Sequence, residues 1–109
     1  MTDSSRIRSK ALADKVMSAQ QAAQFITAGS NVGMSGFTGA GYPKAVPAAL
    51  VDRMTEAKAH GDRFAVSVWT GASTAPELDG ALAAVEGVEL RMPYQSDPVS
   101  RAKINAGLM

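Results

Sequence analysis

The residues from Gly36 to Gly41 are the first candidates for chemistry in this sequence. They lie in SGFTGAGYPKAVP, residues 35–47, where three glycines and two prolines follow directly on a short apolar run. A loop after a strand and before a helix is where an α/β protein places ligands, because the amides of the helix N-terminus point there. Gly36 and Gly41 have the spacing of a nucleoside-triphosphate loop. The residues that follow, Tyr42, Pro43 and Lys44, are not the Lys-Ser/Thr pair such a loop needs to reach phosphates and magnesium. The dinucleotide pattern GxGxxG fails as well, since glycines 36, 39 and 41 read GxxGxG. A proline near the helix start removes one amide that an anion would use. Read from residue types alone, the loop is either a ligand loop of another kind or a tight connection in which Gly39 and Gly41 adopt positive φ.

Two hydroxyls stand in comparable places, Ser73 in TGAST (residues 70–74) and Ser96 in YQSDP (residues 94–98). Each follows an expected strand, and each is also an ordinary turn or capping residue. The acidic residues offer no acid/base pair. Asp14, Asp52, Glu56, Glu86 and Glu89 read as solvated charges, Glu77 and Asp79 as first-turn residues complementing a helix dipole, and Asp97 as an N-cap. His60 falls near a helix C-terminus, where a hydrogen-bonding side chain is favourable. Lys44 opens a helix, a position disfavoured for a cation, and reads as exposed or as a draw for a phosphate or carboxylate. Trp69 closes a strand and reads as core.

Composition narrows the classes. The 109 residues suit one modest core, with an apolar fraction of 46% and 11 basic against 10 acidic residues. No basic cluster supports a nucleic-acid partner. With no cysteine and one histidine, neither a thiolate nor a multi-histidine metal site is expected, so the metal expectation is none. No apolar window approaches a spanning helix, and the N-terminus lacks the apolar core of a secretory signal, so no membrane partner and a cytoplasmic location are expected.

The elements that must position these residues alternate. Ser18 and Gln21 form a capping-box pattern ahead of a helix over 19–28 closed by Gly29, and the polar residues before it read either as loose chain or as the lead into a first helix around residues 9–16. A strand over 31–35 leads into the glycine loop. Val46, Leu50, Val51 and Met54 then recur at helical spacing between Lys44 and His60, with Pro47 tolerated in the first turn. RFAVSVW, residues 63–69, alternates as a strand, and APELDGALAAV reads as a helix interrupted by Gly80. VELRM, residues 88–92, is a third strand and Pro98 to Asn105 a last helix. This order predicts an α/β fold with an open, mainly parallel sheet and flanking helices. Three strands leave exposed edges, which points to part of something larger and to self-association through those edges.

The loop also resembles a known signature. SGFTGAGYP is similar to the loop of the class I coenzyme A transferases, commonly GGF, three residues, G, any residue and P, with Ser35 here replacing the first glycine. GFTGAGYPK, TGAST and RMPYQSDPVSRAKINAG, in this order, resemble the acetyl-CoA hydrolase and succinyl-CoA:acetate CoA-transferase branch, from about Arg8 to the C-terminus. The resemblance implies that residues 1–109 are an incomplete N-terminal part of a CoA-transferase N-terminal domain. It implies CoA transfer between an acyl-CoA and a small carboxylate such as acetate or succinate, through a glutamyl-CoA thioester. Covalent catalysis of this kind splits a difficult exchange into two easier acyl transfers.

The family's nucleophilic glutamate lies in its C-terminal half, so no catalytic residue is expected here and these residues alone should be inactive. By the same resemblance Gly36, Phe37, Thr38, Gly39, Ala40 and Gly41 line the acyl and thioester region, and Ser73 and Ser96 face the carboxylate or acyl group. The coenzyme A thioester enters as substrate, with no covalently bound cofactor. The implied partners are acyl-CoA, a small carboxylate, the C-terminal half and a second copy in a homo-oligomer. The competing expectation is a stand-alone α/β small-ligand-binding or regulatory module without catalysis.

Overall fold

Three short parallel strands in the order β1-β2-β3 carry the fold of the computed structural model, which describes residues 5–109. The elements are α1 (Lys10–Ala13), α2 (Ala19–Ala23), β1 (Asn31–Gly33), α3 (Ala45–Ala59), β2 (Val66–Trp69), a π-helical turn (Pro76–Gly80) continuing as α4 (Ala81–Ala84), β3 (Val88–Met92) and α5 (Pro98–Asn105). The expected α/β class and its alternation are borne out. Asn31 pairs with Ser67 and Gly33 with Trp69, while Ser67 pairs with Leu90 and Trp69 with Met92.

Strand alternation sorts the side chains onto two unlike faces. Val66, Val68 and Val88 pack with Leu50 and Met54 of α3 and with Leu78 and Leu82, forming the core. Two parallel crossovers stepping the same way place their helices on one side of the sheet, and α3 does touch α4. The opposite face carries Ser67, Trp69, Leu90 and Met92, and the last three are each 45% exposed. Trp69 is therefore not core, contrary to the sequence reading. Its register sets it beside Gly33 and Met92 on the face without helices, where its indole N–H donates to Asn31 Oδ1 at 3.3 Å.

Local chemistry explains most element ends. The Ser18–Gln21 capping box is present, with Gln21 N donating to Ser18 Oγ at 3.1 Å and Ser18 N to Gln21 Oε1 at 2.9 Å. The helix it opens stops at Ala23 and not at residue 28. Thr27 N–H goes to Ser30 Oγ at 3.1 Å, and Gly29, at φ 82°, donates to Ala65 O at 2.8 Å. Arg53 of α3 donates to the carbonyls of Ala23 and Ile26 and so ties α2 to α3. His60 closes α3, its ring Nδ1 2.8 Å from Glu56 O.

Asp97 caps α5, as read, by accepting from Ser100 N at 2.9 Å. Its carboxylate fits because position 80 is glycine: a Cβ there would lie 2.9 Å from Asp97 Oδ1. Asp97→Ala is expected to cost about 1 kcal/mol of stability through loss of this cap, measured by urea unfolding.

Candidate active-site loops at the carboxyl ends of the strands

Strand β1 ends where Ser35 Oγ turns back to donate to Gly41 O at 2.6 Å, closing residues 35–41 into a loop. Inside it Phe37 and Ala40 exchange backbone hydrogen bonds of 3.0 Å in both directions. A two-residue hairpin of this type requires positive φ at both central positions. Thr38 has φ 47° and Gly39 φ 84°. Gly39 supplies this freely, whereas Thr38 is β-branched and strained there, a feature the glycine count did not foretell. Thr38 N–H is held by Ala72 O at 3.0 Å. Phe37 projects outward, 62% exposed.

The second loop, residues 70–74 after β2, lies against the first. Gly36 and Gly71 meet backbone to backbone, and a Cβ on Gly71 would sit 2.2 Å from Gly36 O. A Cβ on Gly36, at φ 143°, would sit 2.7 Å from Thr74 Cγ2. Gly36, Phe37, Thr38 and Gly39 of the glycine loop thus lie against residues 70–74.

The third segment follows β3. Met92-Pro93 is a cis peptide, and Tyr94, Gln95 and Ser96 lead into α5. Ser96 Oγ lies 2.8 Å from Ser73 Oγ, and Ser96 N–H reaches the same Ser73 oxygen at 3.4 Å. Two hydroxyls distant in sequence therefore meet above the sheet, with Ser73 buried and Ser96 exposed. Ser73 adopts φ 72°, again left-handed backbone on a residue other than glycine. A hydroxyl pair donates to a carboxylate while staying neutral. Next to it, Gln95 Oε1 is the buried side-chain polar atom without a hydrogen-bond partner among the described residues.

Beneath these loops lies a pair that the sequence reading did not foresee. Asp79 does stand in a first turn, as read, but it does more than complement a helix dipole. It is 2% exposed and paired with Arg91 of β3, with Arg91 Nε donating to Oδ1 at 2.9 Å and Nη2 to Oδ2 at 3.3 Å. Thr74 N and Thr74 Oγ1 donate to Asp79 Oδ2 at 2.7 and 2.6 Å. Arg91 also donates to Met92 O and, at 2.5 Å, to Thr70 Oγ1. Arg91 is seen to face inward only once β3 takes its register beside Val68, and there a buried guanidinium demands an acid.

Lys44 does meet a carboxylate, that of Glu77 at 3.2 Å, while its ammonium stands 3.6 Å from the centre of the Tyr42 ring. Tyr42 OH donates to the same Glu77 oxygen. The Tyr42 hydrogen bond, then that of Lys44, holds the Glu77 carboxyl below its usual range; Tyr42 and then Glu77 hold the Lys44 ammonium above its own. The Glu77 contribution is present above the usual carboxylate pKa and fades as pH falls through the lowered value. The Lys44 contribution is present below the usual lysine pKa and fades as pH rises through the raised one, so the cluster is intact around neutrality.

An open parallel sheet with glycine and hydroxyl loops gathered at the carboxyl ends of its strands is the ligand-binding arrangement of α/β proteins. Comparison makes the class specific: residues 1–109 match the acetyl-CoA hydrolase/transferase N-terminal domain, and the chain belongs to that family. It is 42% identical over 102 residues to the succinyl-CoA:acetate CoA-transferase of Clostridium kluyveri, an alignment covering 94% of this chain and 18% of the relative. It is 38% identical over 91 residues to the propanoyl-CoA:succinate CoA transferase of Escherichia coli, covering 84% and 18%. With the acetyl-CoA hydrolase of Saccharomyces cerevisiae the identity is 35% over 103 residues, covering 94% and 19%. The chain thus spans about a fifth of the length of these relatives. Among the described residues, no helix is long and apolar enough to cross a membrane.

Proposed function

We propose that these residues supply the carboxylate side of the acyl pocket of a CoA-transferase or acetyl-CoA hydrolase, which moves CoA between an acyl-CoA and a small carboxylate such as acetate or succinate. The route is a glutamyl-CoA thioester whose glutamate lies outside residues 1–109. The carrying observation is the Ser73–Ser96 hydroxyl pair, 2.8 Å apart, beside the Gly36–Gly41 loop. Gly39 and Gly41 let a thioester approach the backbone without a Cβ clash, Gly36 lines the same loop while leaving room for Thr74, Phe37, Thr38 and Ala40 shape the wall, and Ser73 and Ser96 receive the carboxylate. The acting form is a cytoplasmic homo-oligomer.

The test is CoA transfer from succinyl-CoA to acetate, with hydrolysis followed in parallel. The 109 residues alone should show no turnover, and the protein as encoded should show transfer or hydrolysis. In the active protein, Ser73→Ala and Ser96→Ala should each raise KM for the carboxylate about tenfold, the loss of one hydrogen bond to a charged group. Unchanged KM in both variants would remove the hydroxyls from the pocket. Turnover by the purified 109 residues would refute the placement of the nucleophile elsewhere.

A further inference from the structure

We infer that the buried Asp79–Arg91 pair is a positioning device for the Ser73–Ser96 hydroxyl pair, setting where the carboxylate is received without touching it. Its consequence for turnover rests on the function proposed above; its geometry does not. Ser73 holds left-handed backbone at φ 72°. A serine stays in that region only where its surroundings over-determine it, and such residues cluster at ligand clamps.

The constraint is visible on both sides of Ser73. On one side, Thr74 N and Thr74 Oγ1 both end on Asp79 Oδ2. On the other, Thr70 Oγ1 accepts from Arg91 Nη2 and donates to Gly71 O at 2.6 Å. The same two residues reach the second arm. Arg91 Nη1 donates to Met92 O, where the segment leading to Ser96 begins. The main-chain carbonyl of Asp79, not its carboxylate, accepts from Ser100 Oγ at 3.2 Å in the first turn of α5. The ion pair thus bonds to both segments that carry the hydroxyls, to the second through Arg91. With both side chains 2% exposed, it acts on a ligand only through those segments. A buried ion pair is by itself a poor source of stability compared with an apolar substitute, and a role in specifying one geometry accounts for the connections made here.

Thr74→Val removes one link and keeps both charges and the side-chain shape, while Thr74→Ser keeps the hydroxyl and loses the methyl group. In the protein as encoded, Thr74→Val should raise KM for acetate about tenfold and change kcat less, and Thr74→Ser should stay within about twofold of the parent. The crystal structure of Thr74→Val should show the Ser73–Ser96 oxygens beyond hydrogen-bond distance. A Thr74→Val protein that only melts earlier, with acetate KM and the Ser73–Ser96 bond as in the parent, overturns the inference. If the parent lacks CoA transfer and hydrolysis, the proposed function falls, and the crystallographic comparison still decides the positioning role: an opened pair upholds it and an unchanged pair overturns it.

Discussion

Arg91→Met is expected to lower the unfolding free energy by about 3–5 kcal/mol. The substitution preserves much of the side-chain volume and removes the partner of an Asp79 carboxylate that is 2% exposed. What remains is a buried charge with only the Thr74 N–H and hydroxyl to satisfy it. For a domain whose total stability is on the order of 5–15 kcal/mol, this removes a large fraction. Urea unfolding of the parent, Arg91→Met, Asp79→Leu and the double variant measures it. The double variant should recover part of the loss, because removing both charges costs less than stranding one. A cost below about 1 kcal/mol for Arg91→Met would show that the carboxylate reaches solvent.

Gly71→Ala is expected to separate the two glycine-bearing loops, at about 1–3 kcal/mol and, under the function proposed above, with loss of CoA transfer. The added methyl would stand 2.2 Å from Gly36 O and 3.3 Å from Gly36 C, which are backbone atoms and cannot rotate aside. Relief requires one loop to lift from the other, taking with it the Thr38–Ala72 hydrogen bond. Gly33→Ala is the matched control, since a Cβ there meets nothing within 4 Å, and it should change stability by less than about 0.5 kcal/mol. Differential scanning calorimetry together with CoA-transfer assays separates the two outcomes. A Gly71→Ala protein that behaves like Gly33→Ala would mean that the loops do not pack as described.

What could be read in advance was what local chemistry decides. The bounds of β3 and α5, the Asp97 cap, the Ser18–Gln21 box and the order of elements follow from alternation, capping residues and proline placement. The glycine spacing of residues 36–41 carried a family resemblance, which the match over residues 1–109 bears out. Strand ends were less legible. Residues 63–65 alternate like strand, yet pairing begins at Val66, and β1 stops at Gly33 once Ser35 is drawn to Gly41. The Asp79–Arg91 pair escaped because the two residues lie in different elements and meet only after β3 aligns with β2. Periodicity registers one charge on a helix and one on a strand; it carries no information on their meeting. Trp69 was misplaced for a related reason, since alternation separates the two faces of a sheet without saying which one the crossovers cover.

That placement gives the protein a built-in optical probe. Trp69 is the sole tryptophan in the sequence, stands 45% exposed on the helix-free face and immediately precedes the loop that carries Ser73. Its emission responds to the polarity of that face, so burial of the surface by further polypeptide or a second copy would shift the spectrum to the blue, and quenching by iodide would fall as the face is covered. One chromophore therefore reads assembly directly, without a label.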